Sequence, residues 1–133
     1  MIRVFIAHAK ADGDEYLAKL RGEIAAALEA GHIAATLTLG RDDFEAHFPR
    51  LGSSWQAWCA DVVSGFHPVT REPRYTHLVV PTEFVGKATA DMVVMALRSG
   101  KPVLRWRSIT GKFTKITTVT KVTTSVQTGW RVS

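Results

Sequence analysis

Acid is missing from the end of this sequence. Residues 98–133 hold eight Lys/Arg and no Asp or Glu, whereas residues 1–97 hold nine Lys/Arg against twelve Asp/Glu. The formal charge of +5 therefore divides into −3 before Arg98 and +8 from there on. Cysteine is nearly absent: Cys59 stands alone, which excludes an internal disulfide and argues against structural zinc. Long apolar runs are lacking as well. No stretch approaches the roughly 20 residues of a membrane-spanning helix, and the opening MIRVFIAHAKADGDE turns charged too early for a signal peptide. A soluble, cytoplasmic protein with no membrane partner is the expectation. No GxGxxG, GxxxxGK[ST] or GxSxG occurs, so no dinucleotide fingerprint, P-loop or nucleophile elbow is present. The five histidines are scattered, and neither a metal nor a cofactor is expected.

What is there is an ordinary globular composition, 46% hydrophobic and 22% charged, at a length that suits one domain. Ile2–Ala7 is a short apolar run rich in β-formers and reads as a central strand buried on both faces. In EYLAKLRGEIAAALEAG, Tyr16, Leu17, Leu20, Ile24, Ala27 and Leu28 recur at helical spacing, with Asp12 or Asp14 to cap the start and Gly31 to stop it. HIAATLTL reads as a second strand, and GRDDFEAHFPRLGSS as loop-like or partly helical. Ser53 or Ser54 then caps a helix that carries Trp55, Trp58, Cys59, Val62 and Val63 and closes at Gly65. THLVVP is a third strand, Thr89 to Ser99 a helix, and Pro102 to Trp106 a further strand.

This alternation predicts an α/β core over residues 1–106, a three-layer flavodoxin- or Rossmann-like parallel sheet with helices on both faces. Residues 107–133 form a basic, Thr-rich tail, read as a C-terminal antiparallel β extension. One or two strands are expected there, added to the sheet edge or reaching a neighbouring subunit. Ile116, Val122, Val126 and Trp130 fall on one parity, and Lys115, Lys121 and Arg131 on the other.

Ligands of open parallel sheets bind beyond the carboxyl ends of the strands, where strand-to-helix loops and helix N-termini converge. The topology thus nominates His8, Lys10 and Asp12 after the first strand and Arg41, Asp42, Asp43 and Phe44 after the second. After the third come Thr82, Glu83, Phe84, Gly86, Thr89 and Asp91. Each has a bland alternative: a capping histidine, a local salt bridge, core aromatics, or a carboxylate that only complements a helix dipole.

Two segments add to this, VFIAHAKAD and THLVVPTEFVGKATADMVVMALRSGKPVLRW. Up to about Trp106 the chain resembles the superfamily of nucleoside 2-deoxyribosyltransferases and TIR-type domains, some of which cleave NAD. The resemblance rests on Phe5, Ile6, Ala7 and His8, on Gly86, Thr89 and Asp91, and on Gly100, Lys101, Pro102 and Val103. It implies a nucleoside or nucleotide ligand and chemistry at an N-glycosidic bond, with Asp91 as the catalytic carboxylate where the family has glutamate. Aspartate is one methylene shorter, so either the backbone moves closer or the protein binds without cleaving. Position after the strands, rather than the resemblance, sets the other expected ligand contacts: Arg41 to a phosphate or carboxylate, Asp42 or Asp43 to a ribose, His8 or Glu83 to the base, and Phe44 or Phe84 stacked on it. A non-enzymatic nucleotide-binding protein is the alternative. Pairing of the C-terminal strands between subunits and, third in rank, nucleic acid bound by the basic tail complete the expectations.

Overall fold

The computed structural model of the chain describes residues 1–51 and 54–133. Ser53, one of the two nominated caps, lies outside the described residues. Five strands form the main sheet: β1 (Ile2–Ile6), β2 (Ala35–Leu39), β3 (His77–Val80), β5 (Val103–Arg107) and β6 (Lys112–Lys115), in the order β2-β1-β3-β5-β6. The first four are parallel and β6 runs antiparallel to β5. The expected three-layer α/β architecture is present.

Alternation along the strands explains the layers. Val4, Ile6, Val79 and Trp106 face α1 (Asp14–Ala30), whose Leu20 and Ile24 pack on them. Phe5, Leu78, Val80 and Val103 face the opposite way, onto α3 (Trp55–Ser64) and α4 (Lys87–Arg98), with Trp58, Cys59, Val62, Met92, Val93 and Ala96 between. A strand segment buried on both faces must be apolar at successive positions, as Val4–Ile6 of β1 and Leu78–Val80 of β3 are. Each fully buried side chain of this size contributes about 1.5–3 kcal/mol.

Several boundaries differ from the sequence reading. Gly13, not Asp12 or Asp14, is the N-cap of α1, and it makes no side-chain cap bond. Asp14 is already helical, while the Asp12 carboxylate accepts from the Ala9 N–H instead. Gly31 ends α1 with an ordinary negative φ, and the left-handed position falls on His32 (φ 57°). Of the alternatives for residues 40–54, loop-like or partly helical, the helical one holds over residues 40–51: α2 (Gly40–His47) and then a 3-10 turn at Phe48–Leu51. Ser54 caps α3, accepting from the Ala57 N–H at 3.2 Å. Helix α4 begins at Lys87, two residues before the expected Thr89, which puts Asp91 in its second turn. Gly100, at φ +74°, ends it in a conformation that other L-residues resist.

The tail holds three strands, not one or two. After β6, β7 (Val119–Thr123) and β8 (Thr128–Val132) form a separate antiparallel sheet with β4 (Phe84–Val85), in the order β4-β8-β7. Parity does not persist along the tail. Lys121 sits opposite Trp130 on one face, and Val122 lies on the other with Arg131, because the turn at Thr124–Gln127 resets the register. Val126, in that turn, is exposed, whereas Ile116 and Val132 are buried against α3 and α4. The tail thus pairs within its own chain, on the loop between β3 and α4.

Candidate functional site

The strand order reverses between β1 and β3. From β1 the chain crosses over one face to β2 at the edge, then returns over the other face to β3 on the opposite side of β1. The connections leaving β1 and β3 therefore diverge and leave a crevice at the carboxyl end of the sheet. A cleft of about 140 Å³ lies there, lined on one side by Ala7, His8, Ala9 and Asp12 and on the other by Val80 to Thr82, Phe84 to Gly86 and Thr89. Both α1 and α4 start beside it, from glycine N-caps without side-chain cap bonds. The first turn of α1 carries Asp14 and Glu15, but that of α4 carries no acid. The N–H groups of Lys87 to Thr89 precede the first intrahelical donor, Ala90, and make the α4 end the electropositive wall.

His8 lines the cleft with its side chain 3% exposed. Its Nε2 accepts from the Arg41 N–H at 3.0 Å, and a backbone N–H can only donate, so in the neutral ring the proton sits on Nδ1 and is donated to the Ala9 carbonyl at 2.9 Å. With both nitrogens engaged, His8 joins the end of β1 to the start of α2 and presents ring edge, not a spare base, to the cleft. The Arg41 guanidinium donates to the Asp14 carboxylate and the Asp12 carbonyl. It braces the β1–α1 loop and does not line the cleft.

Asp42 and Asp43 part company. Asp42 is exposed in the first turn of α2, whereas the Asp43 side chain is fully buried. Its Oδ2 accepts from Trp58 Nε1 at 2.7 Å, and its Oδ1 accepts from the Tyr75 hydroxyl at 2.5 Å and from Arg74. Arg74 also pairs with Asp61 of α3. Burial, and next the bond to and charge of Asp43, push the Tyr75 phenol well above its ordinary range. This carboxylate ties α2, α3 and the segment entering β3 together and is occupied on both oxygens. Phe44 is spent in packing too, stacked on Phe48 at 4.5 Å and edge-on to Trp58 at 5.4 Å.

From the β3–α4 connection, Phe84, Gly86 and Thr89 line the cleft and Glu83 does not. Glu83 Oε1 lies 3.3 Å from Arg131 Nε on β8. Asp91 is also outside the lining. Its side chain is 54% exposed and accepts from Lys87 Nζ at 3.1 Å, a pair made within one helix. The Asp91 charge is felt instead by Cys59 on α3, whose thiol is pushed up to about 11 by burial first and by Asp91 second. Among the described residues, Asp12 is the one carboxylate of the lining, and it is engaged with the Ala9 N–H.

No family model, no curated protein and no solved structure matches the chain.

The structure thus brings His8, Phe84, Gly86 and Thr89 to one cleft and leaves Arg41, Asp42, Asp43, Phe44, Glu83 and Asp91 outside its lining. Asp12 and Thr82, nominated by their place after strands, belong to it. Among the described residues no group of three or more His, Cys, Asp or Glu could hold a metal, and no helix is long and apolar enough to cross a membrane. Arg131 is the residue that sequence reasoning missed: its guanidinium lies 5.0 Å from the centroid of the Phe84 ring at the cleft mouth.

Proposed function

We propose that this protein binds a nucleotide or a related small phosphorylated molecule in the cleft between β1 and β3, and does so without cleaving it through Asp91. The observation that carries the reading is the position of the cleft, formed where strand order reverses and flanked by the uncapped start of α4. An anion there would meet unpaired N–H groups and the positive end of the helix dipole, with no acidic side chain in the first turn to repel it. The resemblance of Phe5–His8 and Gly100–Val103 to the deoxyribosyltransferase and TIR-type superfamily supports a ligand of this class. The exposed, Lys87-paired position of Asp91 favours binding over glycosidic cleavage, which needs a carboxylate against the anomeric carbon.

The test is a thermal-shift panel of nucleosides, nucleoside mono- and diphosphates and dinucleotides, with free base assayed in parallel. A ligand at 100 times its Kd stabilises the fold by about 2.7 kcal/mol. Phosphorylated compounds should shift the melting temperature of the wild type, and a large side chain at the exposed lining position, Ala9→Trp, should abolish the shift. No shift across the panel would overturn the binding reading. Base release that disappears in Asp91→Asn would overturn the non-cleaving one.

A further inference from the structure

The cleft is small for the ligand just proposed. Sites that enclose a whole small organic molecule run to roughly 300–1,000 Å³, so about 140 Å³ accommodates a phosphate or a pentose but not a base as well. The planar part of a nucleotide has to lie outside, against whatever forms the mouth.

Phe84 stands at that mouth. It lines the cleft yet is 52% exposed, so its ring is not accounted for by the core. The register of the small sheet sets Phe84 directly opposite Arg131, and residues paired in this way project from the same face. Glu83 holds Arg131 at Nε, the backbone below is tied by the Val132 N–H to the Glu83 carbonyl at 2.9 Å, and the guanidinium rests over the ring. Among the described residues the terminal nitrogens of Arg131 have no hydrogen-bond partner. The result is a flat, cationic, π-rich surface, fixed by strand pairing and open to solvent, next to a cleft too small for a complete nucleotide.

Resting on the nucleotide reading above, we infer that the C-terminal sheet completes the ligand site, Arg131 and Phe84 forming a shelf on which the base stacks while the phosphate end occupies the cleft. Stacking of this kind tolerates any base, since every base has a π-face, and the guanidinium adds a planar cation to it. The basic tail then acts through one positioned arginine and not through its net charge.

Isothermal titration of the full chain with the four ribonucleoside 5′-monophosphates and with ribose 5-phosphate, which lacks the base, tests this. The wild type should bind the monophosphates about ten-fold or more tighter than ribose 5-phosphate, with little preference among bases. Arg131→Gln, outside the cleft lining, should remove most of that ratio while ribose 5-phosphate affinity stays unchanged, and Phe84→Leu, which keeps an apolar wall to the cleft, should weaken the monophosphates far more than ribose 5-phosphate. Circular dichroism and melting temperature confirm that each variant is folded. Equal wild-type affinity for the two kinds of probe, or variants that keep the ratio, would overturn the shelf and leave the cleft reading standing. Variants that weaken both probes alike would reduce Arg131 to a brace for β4. A wild type that binds neither probe would remove the cleft reading and the shelf with it.

Discussion

Asp43 offers the sharpest test of the division between site and scaffold. Replaced by alanine, it strands three donors in the interior: the Arg74 guanidinium, the Tyr75 hydroxyl and Trp58 Nε1. Arg74 keeps Asp61, so its charge is not wholly orphaned. Each stranded neutral donor costs about 1–3 kcal/mol, and removing one partner of a buried ion pair about 3–5 kcal/mol. These terms overlap because they share one carboxylate, so a loss of roughly 3–5 kcal/mol is expected for Asp43→Ala. At this chain length that corresponds to a fall of about 10–25 °C in Tm. Urea unfolding at neutral pH, followed by tryptophan fluorescence and far-UV circular dichroism together, measures it. Asp43→Asn should lie close to alanine, since an amide offers one acceptor where three donors converge. The double variant Asp43→Ala/Arg74→Met should be less damaged than the two single losses summed, because each single change leaves the other's charge unpaired. A loss under about 1 kcal/mol, or strict additivity, would refute the reasoning and return Asp43 to the list of groups available to a ligand.

Three further outcomes follow from the same structure. Asp91→Asn should change stability by less than about 0.5 kcal/mol, the scale of an exposed helical pair, and should leave any ligand-induced melting shift intact; loss of the shift would return Asp91 to the site. His77 is held below its usual 6.5, by burial first and by the Lys101 charge second. The unfolded chain therefore takes up the proton before the folded one, and stability should fall as pH drops through about 6.5 and level off below the folded-state value. His77→Gln should flatten the decline in Tm between about pH 7.5 and 5.5, and an unchanged slope would exclude His77 as its source. Cys59, with its thiol raised to about 11 and the residue 1% exposed, should react with a disulfide reagent at pH 8 on the order of 100-fold more slowly in the native state than in urea; comparable rates would mean that α3 opens readily.

How much of this was legible in the residues depends on what sets each feature. Ile2–Ile6 and His77–Val80 announced themselves because a central parallel strand has no solvent side, and order along the chain then located the sheet edge that carries the cleft. Facing was not legible. Asp42 and Asp43 are neighbours of one type on one helix, and the segment that delivers Arg74 and Tyr75, some thirty residues on, decides which is buried. Asp91 was misread as a helix head because the alanines and threonine after Gly86 are equally at home in a turn or a first helical turn, and two residues of shift rotate a side chain through more than half a helical circumference. Arg131 was hidden for a third reason. Its partner is fixed by the turn at Thr124–Gln127, and a one-residue change there would carry Arg131 to the face of the small sheet that packs on α4. The charge asymmetry marked the tail as worth explaining, but charge counts carry no register. Lengthening that turn by one residue should remove the preference for base-bearing ligands as fully as Arg131→Gln does, although no residue of the cleft has been altered.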